Sequence, residues 1–291
     1  MDRAALLKAF VDLYQSEHDV LGEDWAHQTL DDARQWNLQP VLDAGGVLLF
    51  PHVRPADCGH QVAACVNAVL DSEADRCVFV SVLHSSSQDM EDARVRVAAG
   101  EDPAQFATWG VQGPGLDGRD DWRQDHAPST FRHLMQVETA RRGITGPQVI
   151  ERFPYLAGGR PDQLPGIELL ADELEGAVVV TTADSFHHGI GYGDAPQDSY
   201  AADNGGFELA ASSIETGAQL LEAQDYWGYN QHCVTAKSDH RDAGQVLAYL
   251  RGPMRGAILD MVASEFGDVY EAPDPTWVAG TLVTYTPTEE V

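Results

Sequence analysis

The sequence predicts a single α/β domain over residues 1–291, with a central, largely parallel or mixed β-sheet flanked by helices. Short apolar runs rich in β-branched residues recur along the chain, and amphipathic helical patterns lie between most of them. Strands that alternate with helices build parallel sheets, because each parallel pair needs a crossover. Several of the runs also end in polar side chains that can do chemistry, and ligands gather at the carboxyl ends of such strands.

The runs come in this order. GVLLFP, Gly46 to Pro51, ends at His52. CVFVSVL, Cys77 to Leu83, ends at His84. IERFPYL, Ile150 to Leu156, is weaker. AVVVTT, Ala177 to Thr182, delivers Asp184, Phe186, His187, His188 and Gly189 in quick succession. WVAGTLVTY, Trp277 to Tyr285, closes the series.

Helical spacing appears first in the segment 1–40, where Leu6, Leu7, Phe10, Val11 and Tyr14 share a face. It returns over Cys58–Leu70, Ser129–Arg142, Pro165–Leu174 and Phe207–Gln224. Gly244–Phe266 reads as one or two more helices, broken near Gly252-Pro253. Residues 89–125 read as a long acidic, Gly-rich excursion, and residues 189–206 read similarly.

Composition narrows the function. Asp and Glu number 46 against 18 Lys and Arg, for a formal charge of −28. A nucleic-acid binder needs a basic stripe, and none is visible. Anionic membrane surfaces are disfavoured for the same reason, and no apolar run approaches the roughly 18 residues that span a bilayer. The N-terminal pattern is amphipathic, unlike a secretory leader. Four cysteines with no CxxC pair make neither a disulfide framework nor a structural zinc site. The expectation is a soluble cytoplasmic protein. The acidity fits either solvation at high salt or a compositional bias, and neither sets the chemistry. Oligomeric state is not legible.

Taken singly, His52 or His84 is an ordinary turn histidine. Together, with a third cluster at another strand end, they read as metal ligands or bases, since neutral imidazole is the commonest ligand for first-row metals. Asp184 and His187 are spaced i and i+3. A helical or tight turn there brings both to one cavity, with Asp184 orienting the imidazole for acid or base work. The plainer alternative is an N-cap aspartate with solvated histidines. His188 reads as structural or exposed. Cys233, in GYNQHCVTAK, is a small buried hydrophobe, a soft ligand to iron or copper, or a nucleophile. Cys58, Cys65 and Cys77 read as core. There is no GxSxG, Walker A loop, HExxH or strand-preceded GxGxxG.

The order of these motifs resembles the MEMO family, also called the AmmeMemoRadiSam system protein B group. That family is related in fold to class III extradiol (LigB-type) dioxygenases. FPHVRPADCG is similar to its PHAGY-like motif, placing His52 on the first histidine. VSVLHS matches LGPSHH loosely, placing His84 on the first histidine of that pair. TADSFHHG is similar to SSDFCHWG, with Asp184 and His187 in register, and Cys233 best meets an ICG-type cysteine. TWVAGTLVTY resembles a SYAAGALTV-like strand. The resemblance runs from about Gly45 to the C-terminus. Departures are Val53 and Arg54 in place of glycine, Ser85 in place of a second histidine, and STFRHLMQVE as the nearest counterpart of an EHS-x-E-x-HLPY segment. That last departure leaves His133 or His126 as the replacement histidine.

The resemblance implies a site in which His52, His84 and Cys233 hold Fe(II), with copper as the alternative metal, and Asp184 and His187 lie beside it. In the related dioxygenases the iron is held by two histidines and a carboxylate, and activates O2 against a bidentate phenolic substrate. The expected function is therefore a non-heme metal oxidoreductase acting on a small molecule with O2. His187 serves as acid or base, and Arg54 and His133 bind substrate. Two other classes stay open: a binding or adaptor protein without turnover, and a metal-independent hydrolase with Cys233 as nucleophile and His187 as base.

Overall fold

A computed structural model describes residues 3–288. The chain begins with α1 (Arg3–Asp32), interrupted at Gly22 by a non-helical φ of 72°, then α2 (Gln39–Asp43), β1 (Val47–Phe50) and α3 (Pro55–Asp71). Next come β2 (Arg76–Val80), α4 (Gln88–Ala98), β3 (Gly110–Gln112), α5 (Ser129–Arg142), β4 (Gln148–Tyr155) and α6 (Ile167–Leu174). β5 (Val178–Thr182) and β6 (Phe186–Gly189) precede α7 (Phe207–Glu222), α8 (Tyr226–Ala236) and α9 (Arg241–Arg251). β7 (Met254–Glu265), α10 (Gly267–Tyr270) and β8 (Thr276–Pro287) complete the fold. Among the described residues no helix is long and apolar enough to cross a membrane.

All eight strands join one mixed sheet, in the order β3-β4-β2-β5-β1-β8-β6, with β7 paired to β8. β4, β2, β5 and β1 run parallel, while β3 is antiparallel to β4 and β8 is antiparallel to β1. β8 holds β1 against residues 283–285 and β6 against residues 276–279, with β7 along its other edge. Three of the four parallel strands, β1, β2 and β5, are buried on both faces, which is why they read as continuous apolar runs rather than alternating ones. One face packs on α1, α3 and α5 through Leu48, Phe50, Phe79 and Val180, with Phe131 and Leu134 from the helices. The other packs on α6 to α9 through Val47, Leu49, Val78 and Val179.

The sheet, its parallel core and the flanking helices are as the sequence predicts. Two segments differ. Residues 89–125 are not a structureless excursion: they carry most of α4, all of β3 and short turns of 3-10 helix. Ser87 caps α4 by accepting from the Met90 N–H, and Met90, Ala93 and Val97 form a small core with Phe153 and Tyr155. Nor does Gly244–Phe266 stay helical past Pro253. Gly252 takes a φ of 77°, and the chain continues as β7, an edge strand whose half-exposed residues owe their conformation to pairing with β8. Cys58, Cys65 and Cys77 are buried core, as expected.

His133, expected at the substrate, lies on α5 and stacks on His18 of α1, ring centroids 4.5 Å apart at 17°. The Nε2 atoms of both are buried without a hydrogen-bond partner. Burial, and His133 beside it, push the His18 pKa down to about 4. A histidine held neutral in the fold stabilises it above the unfolded pKa of roughly 6.5, and that stability is lost as pH falls from there toward the folded value. Urea midpoints are therefore expected to fall between pH 7 and pH 4.5, and to fall less in His18→Gln. Partial solvent screening holds the His18 share to about 1 kcal/mol. Identical pH slopes for the two proteins would remove this pair from the acid response.

Candidate metal centre

The parallel strands deliver their ends to one place. His52 follows β1 by two residues, His84 follows β2 by four and Asp184 follows β5 by two. Two turns close over them from elsewhere in the chain. One precedes α5 and carries Asp125 and His126; the other, between α8 and α9, carries Asp239. The backbone ties these pieces together. The Asp184 N–H donates to Asp239 Oδ1 at 2.8 Å, and the His52 N–H donates to Asp184 Oδ1 at 3.0 Å. The His84 N–H donates to Asp125 Oδ2 at 2.7 Å.

Those contacts also fix the rings. Thr182 donates its hydroxyl proton to the Phe50 carbonyl at 2.9 Å, so its oxygen is left to accept from His52 Nδ1 at 3.1 Å. That network assigns the proton of the neutral ring to Nδ1 and turns Nε2 toward the site. His52 Nε2 then faces Asp239 Oδ2 at 3.1 Å. Both atoms are buried, and neither has a hydrogen-bond partner beyond this contact. A ring nitrogen and a carboxylate oxygen in contact, away from water, call for a positive charge between them, a proton or a metal ion. His84 repeats the pattern. Its Nδ1 donates to Asp125 at 3.0 Å, and its Nε2 stands 3.5 Å from the same Asp239 oxygen. A carboxylate behind a histidine that presents its other nitrogen inward is the usual support of a metal ligand.

Two overlapping groups have ligand atoms within 4.8 Å of one another: His52 with Asp184 and Asp239, and His52 with His84 and His126. They are buried except for His84 and Asp239, which are half-buried. His126 stacks on His84 with centroids 4.5 Å apart, and its Nδ1 is a further buried atom without a partner. These residues can hold a metal ion. The donor set, imidazole nitrogens with carboxylate oxygens, suits first-row metals.

Electrostatics agree. Burial alone lowers the pKa of His84, but Asp125 and Asp239 outweigh it and hold it up at about 10. His52 is raised in the same sense: burial is opposed by Asp184 and Asp239. Asp184 is pushed up to about 6 by burial, with His52 opposing and Asp239 adding to the rise. The site attracts positive charge and repels a second negative one.

The cluster opens into a cavity of about 520 Å³. His84, His126, Asp184, His187 and Asp239 line it, and Phe10 and Tyr14 of α1 form part of its wall. His187 lies on β6, an extended strand rather than the helical turn expected at Asp184–His187. Strand alternation sends His187 and His188 to opposite faces. The His187 ring meets Tyr192 edge-on at 4.9 Å, whereas His188 accepts from the Tyr200 N–H at 2.9 Å and is structural. β6 ends at Gly189, where φ is 105° and a side chain would collide with the Pro275 carbonyl. Burial pushes the His187 pKa down to about 4, so its ring is neutral at pH 7. Its Nδ1 is buried and unpartnered.

No protein-family model matches the sequence. No curated protein matches it either. The function is therefore read from the site itself.

The structure brings together His52, His84, Asp184 and His187 of the expected residues, and leaves out three. Cys233 lies on α8 in the hydrophobic core beside Tyr229, outside both ligand groups, and burial pushes its thiol up to about 12. Asp184 supports His52, through its backbone N–H, in place of the expected bond to His187. Arg54 turns away to Glu17 and Asp268, at 3.0 and 2.6 Å, and covers the Phe266 ring at 5.3 Å. His133, as above, is packed on His18. Arg54→Ala is accordingly expected to lower stability by about 1 kcal/mol and leave substrate KM unchanged. A raised KM with unchanged stability would return Arg54 to the site.

Asp239 and Asp125 are what sequence reasoning missed; of the two candidate replacement histidines, His126 and not His133 lies at the centre. Their one shared sign is the dipeptide Asp-His, which occurs at 125–126 and at 239–240.

Proposed function

We propose that the protein is a mononuclear non-heme iron oxidoreductase of the dioxygenase type, with His52, His84 and Asp239 as the metal ligands. The observation that carries this reading is the buried contact of His52 Nε2 with Asp239 Oδ2, with His84 Nε2 facing the same oxygen. Two imidazoles and one carboxylate, with positions left open, make the ligand set of non-heme iron oxygenases. The resemblance to the MEMO family and its dioxygenase relatives supports the same reading, with Asp239 in the role expected of Cys233. Bound iron supplies the redox chemistry with O2 that side chains lack.

The chain's own residues do the rest. Asp125 and Thr182 hold the two ligand rings in one tautomer. Leu6, Leu7 and Phe10 of α1, with Phe266, give the cavity one apolar side. His187, neutral and facing the cavity, accepts a proton from a substrate hydroxyl as the substrate binds and returns it to product.

Against a hydrolase stands the protonated, core-packed Cys233, which is no nucleophile at neutral pH. Against a pure adaptor stands the cavity, open beside the cluster. The test is oxygen uptake by protein loaded anaerobically with Fe(II), using catechol-type substrates. Iron-dependent uptake is expected; a complete panel with no uptake by iron-loaded protein would overturn the oxygenase reading.

A further inference from the structure

The chain carries few cations, yet four of them line this one cavity: Arg3, Arg94, Lys237 and Arg241. Three are engaged. Arg3 and Arg94 both pair with Glu91, at 3.0 and 3.2 Å, and Lys237 pairs with Asp194. Arg241 is different. It opens α9, is only 6% exposed, and its Nη2 is buried with no hydrogen-bond partner. Among the described residues no ion pair holds its guanidinium. The nearest acidic neighbour along the chain, Asp242, spends one oxygen on the Ala157 N–H at 2.8 Å.

A buried guanidinium with an unused N–H costs the fold free energy unless something else satisfies it. Arginine in that state presents a planar fork that fits a carboxylate at two points. The wall around it is positive: apart from Asp184 and Asp239 of the metal cluster, the cavity shows four cations against Glu91 and Asp242. Elsewhere the lining is aromatic, with Phe10, Tyr14, Tyr192, Phe266 and Tyr270.

We propose that Arg241 is the substrate's anion-binding residue, and that the substrate is a compact aromatic molecule carrying a carboxylate. This rests on the metal-centre reading only for what happens at the other end of that molecule. Arg94 and Arg3, by neutralising Glu91, keep the wall positive. The carboxylate pairs with Arg241, and the ring is held against the aromatic side chains.

The test compares benzoate with benzamide, which share ring and size and differ in charge. Binding to the full-length protein is measured by calorimetry, both metal-free and loaded anaerobically with Fe(II). Benzoate is expected to bind at least tenfold tighter than benzamide in both states. Arg241→Gln is expected to erase the preference, and Arg241→Lys to keep part of it. Equal affinities for the two probes in wild type, which needs no variant to fold, overturn the proposal. So does a preference that survives in Arg241→Gln. A preference seen only with iron places the carboxylate on the metal, which overturns the role of Arg241 and leaves the metal centre standing. A preference without any iron binding does the reverse.

Discussion

Asp239→Asn is expected to abolish stoichiometric iron binding while leaving the fold intact. Its Oδ2 is the atom that His52 Nε2 and His84 Nε2 both face, at 3.1 and 3.5 Å. Asparagine keeps the side-chain oxygen that accepts from the Asp184 N–H, so the turn between α8 and α9 retains its anchor. What is lost is the negative charge between two imidazoles. Loss of an outer partner of a metal ligand costs about 10–100-fold in affinity, so loss of a ligand is expected to cost more than about 100-fold. Removing the charge also takes from His52 and His84 the carboxylate that favours their protonated forms, so thermal stability of the metal-free variant at pH 7 is expected to fall below that of wild type. A variant that still binds one iron per chain with wild-type affinity would remove Asp239 from the ligand set.

His187→Gln is expected to lower kcat about 10²–10⁴-fold, the usual contribution of a positioned acid or base. Iron content should not change, because His187 belongs to neither ligand group. The variant keeps a side chain of similar reach on β6, beside Tyr192. The split between activity and metal content is the decisive feature. Equal loss of both reassigns His187 to the ligands; loss of neither removes it from the chemistry.

Much of the architecture was legible because it is local. The parallel strands β1, β2 and β5 declare themselves as buried, β-branched runs, and α5 begins and ends at the residues its periodicity predicts, Ser129 and Arg142. The strand ends at His52, His84 and Asp184 followed from the same logic, since a parallel sheet collects its carboxyl ends on one edge. β7 was not legible. Its conformation comes from pairing with β8, and an edge strand with one wet face has no apolar run to announce it.

The site divides in the same way. Residues borne by strand ends were found, and of those borne by turns only His126 was named, as one of two alternatives. Asp125 and Asp239 sit in short connections whose sequences say nothing of where the connection lands. Cys233 has the polar neighbours Gln231 and His232, but on α8 those point to other faces of the helix, and of the three only the thiol is buried in the core. Arg54 lies only two residues from His52, but its side chain is held by Glu17 of α1 and Asp268 of α10 instead of the cavity.

The central claim is that one metal ion sits between His52, His84 and Asp239. It is tested most directly by metal analysis of protein prepared without oxygen and equilibrated with Fe(II), beside His52→Ala and Asp239→Asn. One iron per chain in wild type and none in either variant is the predicted result. No stoichiometric iron in wild type, or full iron content in both variants, would contradict it.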